Sequence, residues 1–148
     1  MSSTSRPNVH GPERVFAALS GLAALAVLLQ GLWAGIFLEH DGRREEASGW
    51  VDTHARGGEV ALVLAVLLLA WTVWRLRHRR ELVIGAIALV VLLVVESYLG
   101  GRIRDDGQDS LTAVHVPLGM AIMAVATWLP LRARVARTRA GRGASGGM

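Results

Sequence analysis

Residues 15 to 38 run for 24 positions without a charged side chain, and few folds are open to a chain with such a run. The stretch is too long for a helix of a soluble core. It matches the roughly 20 residues that a helix needs to cross the hydrocarbon of a bilayer. Three further apolar blocks follow. Val60 to Trp74 is interrupted only by Thr72, Leu82 to Val95 contains nothing more polar than Gly85, and Leu111 to Leu131 carries His115 and small polar residues. The shorter blocks reach spanning length by drawing in their neighbours. The second helix then starts near Asp52, and the third continues through Glu96 to about Leu99. Backbone groups in lipid must be satisfied within their own segment or a closed barrel. The blocks therefore predict an all-α fold, an integral membrane four-helix bundle with helices at about 14–38, 52–76, 81–99 and 111–132. Residues 1–11 and 136–148, dominated by small, polar and basic side chains, read as disordered tails around a transmembrane domain at 12–135.

Charge sets the expected orientation. All sixteen basic residues are arginines, and eleven of them lie in the N-terminal tail, the middle loop at 75–80 and the C-terminal tail. Arginine-rich segments flank spans on the cytoplasmic side, so both termini are expected in the cytoplasm. The remaining two loops, 39–51 and 100–110, then face outward and carry Glu39, Asp41, Glu45, Glu46, Asp105, Asp106 and Asp109. The formal charge of +4 fits lipid headgroups rather than nucleic acid, because the arginines gather beside the spans on one side. The first apolar block is too long for a signal-peptide core and is not followed by a small-residue cleavage site, so it reads as a retained helix. With no cysteine in the chain, disulfides, thiolate catalysis and thiolate-bound metals are excluded.

The spans form two tandem helical hairpins that resemble each other. The first helix ends Gln30-Gly-Leu-Trp-Ala-Gly35 and the third ends Glu96-Ser-Tyr-Leu-Gly-Gly101. Each is followed by an acidic outer loop and a helix that opens around His-x-x-x-Gly, with His54 and Gly58 in one copy and His115 and Gly119 in the other. Such a repeat predicts a pseudo-twofold axis along the membrane normal. At roughly 1.5 Å per residue, each histidine lies about 6 to 8 Å below its helix start, so both reach one level of the outer leaflet. Two imidazoles at matched depth are what a planar tetrapyrrole needs to be clamped through its iron. A glycine at i+4 stacks below each histidine on the same face and would let the macrocycle lie against bare backbone; close helix packing is the alternative use of these glycines. Arg56, Arg102 and Arg104 sit where carboxylates of the group would emerge. Within the spans Gln30, Glu59 and Glu96 are costly to hold in lipid. Glu96 is a candidate to hydrogen-bond the second nitrogen of an axial histidine or to take up a proton; an interhelical hydrogen bond or a pair with Arg102 is its structural alternative. His10, His40 and His78 receive no ligand role, and a zinc or copper site using both histidines with Asp52 is the remaining metal option.

Three segments, Val51-Asp-Thr-His54-Ala-Arg-Gly-Gly58, Glu96-Ser-Tyr-Leu-Gly-Gly101 and Ala113-Val-His115-Val-Pro-Leu-Gly119, resemble one four-helix half of a haem A synthase. They are also similar to a family of short bacterial four-helix membrane proteins with histidines at the same positions. The likeness spans about residues 14 to 135. It implies haem binding through the second and fourth helices near the outer surface of a bacterial cytoplasmic membrane. Val51 stands where the catalytic half of the synthase has a glutamate, the outer-loop cysteine pair of many synthases is missing, and the second half is absent unless the chain forms a homodimer. The resemblance therefore favours haem binding over methyl hydroxylation. The resulting expectation is a b-type haem protein, with haem b held by His54 and His115 and bordered by Gly58, Gly119, Arg56, Arg102, Gln30 and Glu96. It would transfer single electrons with a redox partner, quinone or larger membrane complex. The alternatives are a haem-modifying or quinone-linked oxidoreductase and a haem-free helical subunit or small transporter.

Overall fold

The computed structural model describes residues 11–39 and 48–145, with the side chains of Phe37 and of residues 136–145 left aside. Four long helices make up these residues: α1 (Gly11–Glu39), α2 (Ser48–Arg75), α3 (Arg80–Asp106) and α4 (Thr112–Ser145), the last preceded by a 3₁₀ turn at Asp109–Leu111. Each is long and apolar enough to cross a membrane. His10, His40 and most of the 39–51 loop lie outside the described residues. α1 packs against α2 and α4, and α3 against α2 and α4. The helices thus form a ring in chain order, with α1 diagonal to α3 and α2 diagonal to α4.

Each helix turns one seam inward. The seam residues are Phe16, Ser20, Ala23, Val27 and Gln30 on α1; His54, Gly58, Ala61, Ala65, Leu68 and Thr72 on α2; Leu82, Ala86, Leu89, Leu93 and Glu96 on α3; and His115, Gly119, Ile122, Ala126, Leu129 and Ala133 on α4. Every one of these, apart from the two glycines and the four polar residues at the histidine end, is buried. The 4-3-4-3 spacing is that of the core positions of bundles with coiled-coil-like packing. The two hairpins keep one register: residues 66 apart correspond on α1 and α3 (Phe16 with Leu82, Gln30 with Glu96), and residues 61 apart on α2 and α4 (His54 with His115, Thr72 with Ala133). The interior is rich in alanine and glycine. Large side chains such as Leu28, Ile84 and Met120 stand on the outside. Lipid and side chains are equally apolar, so helices in a bilayer gain by close approach and small residues collect between them. Gly85 illustrates this: a methyl group there would meet Trp128 at 2.7 Å and Leu129 at 2.8 Å.

Three boundaries differ from the sequence expectation. α3 continues about two turns past Leu99, through Gly100-Gly101, and stops at Gly107, whose φ of 66° is the left-handed conformation that glycine accepts at a helix end. At Gly100 α3 and α4 come close: an added Cβ would lie 3.3 Å from His115 Cε1. α2 begins four residues earlier than Asp52, at Ser48. α4 runs on past residue 132 to Ser145, so most of the expected C-terminal tail continues the last helix.

Candidate functional site

The four inward seams end in polar residues at the same end of the bundle: Gln30, His54, Glu96 and His115. They form one layer, because the 4-3-4-3 register that buries Val27 and Leu93 carries on to the next inward position. His54 and His115 come from diagonal helices, and their rings meet across the bundle axis with centroids 6.3 Å apart and planes inclined by 71°. His54 Nδ1 lies 3.2 Å from the backbone carbonyl of Gln30. A carbonyl only accepts, so that bond puts the proton on Nδ1. His115 Nδ1 lies 3.2 Å from Glu96 Oε1, close enough for an ion pair although not aligned as a hydrogen bond. Gln30 and Glu96, equivalent in the repeat, thus each contact the histidine of their own hairpin. Neither Nε2 makes a hydrogen bond among the described residues.

The layer contains unsatisfied groups. Both amide atoms of Gln30, Glu96 Oε2 and His115 Nδ1 are buried without a hydrogen-bond partner among the described residues. Leaving one buried polar group unpaired costs about 1–3 kcal/mol, so four together mark a place built to meet something polar.

The remaining expected site residues fall around this layer unequally. Gly58 and Gly119 do lie on the inward seams below the histidines. The space over Gly119 holds the Glu96 carboxyl, with Oε1 3.1 Å from where a Cβ would stand. Over Gly58 the nearest atom to such a Cβ is Gln30 Oε1 at 3.8 Å, which leaves that position open. The tight glycine of α2 is its neighbour Gly57, where a Cβ would collide with Trp33 and the Gln30 amide. Gly57 was visible only as half of a Gly-Gly pair, and nothing in sequence told which of the two a tryptophan would fill. Arg102, expected on an outer loop, lies on α3 and pairs with Asp106 at 2.8 Å, one turn on. Arg104 pairs with Asp105 at 2.7 Å and stands near Asp52 and Glu59 of α2. Arg56 and Glu59 are exposed on the outside of α2. Asp52 is exposed as well, and no group of three or more His, Cys, Asp or Glu that could hold a metal ion occurs among the described residues. The three-ligand zinc or copper site therefore does not assemble.

Two imidazoles on one metal are the donor set that the layer does offer. With metal–nitrogen bonds of about 2 Å and about 1 Å from nitrogen to ring centre, opposed imidazoles have centroids about 6 Å apart, as these do. A metal-bound histidine uses its other nitrogen on a carbonyl or carboxylate, and here each Nδ1 faces such an oxygen while each Nε2 is left over. The residues fit a bis-histidine metal group. No protein-family model, curated protein or solved structure matches the chain.

Proposed function

We propose that this is a membrane haem protein of b type in which His54 and His115 are the two axial ligands. The observation that carries the reading is the facing pair of imidazoles across the α2–α4 diagonal, 6.3 Å between centroids, each with Nδ1 against an oxygen of its own hairpin. A haem held by two histidines has no open coordination position and supplies one-electron transfer, with a potential set by ligands, their hydrogen bonds and burial. The chain's own residues do the rest. Gln30 and Glu96 orient the rings, and Gly58 leaves room on the α2 side. Arg56, Arg102 and Arg104 supply positive charge at the end of the bundle where propionates would leave it. The arginines at the opposite end put the termini in the cytoplasm and the histidines in the outer leaflet, with the bilayer and a quinone or protein redox partner as the surroundings. The family likeness to half of a haem A synthase belongs to the same proposal.

A second reading is favoured by one observation, the buried and unpartnered Glu96 Oε2. In a quinone-linked or haem-modifying oxidoreductase that oxygen would hold a proton for a substrate. The two readings separate on Glu96→Gln, which removes turnover in the enzyme but leaves haem bound, with altered affinity, where the group only carries electrons.

The test is a reduced-minus-oxidised visible spectrum of the detergent-purified protein from haem-sufficient cells. The proposal expects a b-type band that disappears in His54→Ala and in His115→Ala. A natural chain without the band, or a band that survives both substitutions, overturns it.

A further inference from the structure

The two histidines differ in what stands behind them. In the first hairpin the ring faces a main-chain carbonyl, at 3.2 Å, and the Gln30 amide turns aside toward Gly57 and Gly58. In the second the ring faces a carboxyl side chain, also at 3.2 Å. That placement is built by two glycines. At Gly119 a Cβ would lie 3.1 Å from Glu96 Oε1, and at Gly100 a Cβ would lie 3.3 Å from His115 Cε1. The first absence makes room for the carboxyl against α4, and the second lets α3 and the His115 ring come together. Side chains at either position would push Glu96 and His115 apart. The corresponding glycine of the other hairpin, Gly58, has nothing so close, so the asymmetry belongs to the second hairpin and not to the repeat.

We infer that Glu96 is the positioning residue that makes the axial ligands unequal, holding His115 as the more electron-donating ligand and lowering the potential of the group. The inference rests on the haem reading and deepens it. Across 3.2 Å a small turn of the His115 ring would align its Nδ1–H on the Glu96 carboxylate, and a hydrogen bond to an ionised acceptor is about twice as strong as a neutral one. A partner on the second ring nitrogen raises the basicity of the ligating nitrogen and fixes the ring. A more basic ligand favours the ferric state. Gln30, at the equivalent position, has no acid to offer, and its histidine receives only a peptide carbonyl.

The experiment compares the natural chain, Glu96→Gln and Gly119→Ala by redox titration of the visible band and by low-temperature electron paramagnetic resonance. In Glu96→Gln the haem is retained, loosened by about 10- to 100-fold. The reduced-to-oxidised ratio at a fixed poise rises at least tenfold, about 59 mV for a one-electron couple, and the low-spin resonance shifts. Gly119→Ala keeps the acid but displaces it, and moves both readouts the same way by less; if Glu96→Gln does not accumulate folded, this variant alone decides. Haem-loaded variants with the natural potential and resonance overturn the role of Glu96 while leaving axial ligation standing. A natural chain that binds no haem overturns the ligation itself, and the inference with it.

Discussion

The two ends of this bundle are built from the same four seams and finished in opposite ways. At the arginine end the seams close on Phe16, Leu68, Leu82 and Leu129, none more than 2% exposed. Its polar groups are matched: Thr72 Oγ1 donates to the Leu68 carbonyl at 2.6 Å, Trp71 Nε1 donates to the Pro12 carbonyl at 3.0 Å, and Arg79 reaches Glu13 at 3.5 Å and Glu81 at 3.1 Å. The Arg75 guanidinium lies over the rings of Trp71 and Trp74. At the histidine end, three residues past Val27 and Leu93 on their seams, four buried polar atoms have no hydrogen-bond partner among the described residues. One end is finished for stability. The other carries a standing cost that a bound polar or metal group would relieve.

That contrast can be broken by substitution, and the largest effect is expected at the histidines. His54→Ala or His115→Ala should each abolish the low-spin b-type band, because one imidazole cannot supply the other axial bond. The apo bundle should lose little thermal stability, since no apolar core is removed. Phe16→Ala does the converse: about 3–5 kcal/mol of stability is lost, measured by unfolding in mixed detergent, with the band intact in the folded fraction. Opposite signs are expected for polar deletions at the two ends. Glu96→Leu, read on the haem-free protein, should stabilise by about 1–3 kcal/mol, the cost of an unpartnered buried group. Thr72→Val should destabilise by about 0.5–1.5 kcal/mol, the usual net worth of an intramolecular hydrogen bond, because the bond to the Leu68 carbonyl within α2 is lost. The smallest effect is Arg79→Ala, at most about 1 kcal/mol, because a partly exposed ion pair is worth little.

How much of this was legible in the sequence depends on the kind of signal. The four spans were, since charge-free runs such as 15–38 leave no other fold, and so was the pairing of His54 with His115, which depends only on their depth and the repeat. The end of α3 was not. Gly100-Gly101 looks like a terminator, and only the neighbouring His115 ring explains why bare backbone is wanted inside a continuing helix. With α3 extended, Arg102 meets Asp106 one turn later and leaves the expected loop. The inward seams were written in the sequence as 4-3-4-3 steps, but hydropathy hides them: in a bilayer the outward face is as apolar as the core, and leucine occurs on both, beside alanine inside and valine outside. The filling of each glycine was beyond sequence altogether, because it depends on side chains of other helices, Trp33 and Gln30 at Gly57 and Glu96 at Gly119.

The most direct test of the central claim, that His54 and His115 share one metal centre, is haemin titration of the purified haem-free chain followed by electron paramagnetic resonance. The account predicts saturable binding of one haem per chain with a low-spin, two-imidazole signal that turns high-spin or vanishes when either histidine is replaced by alanine. A high-spin signal in the natural chain, or a low-spin one indifferent to both replacements, would contradict it.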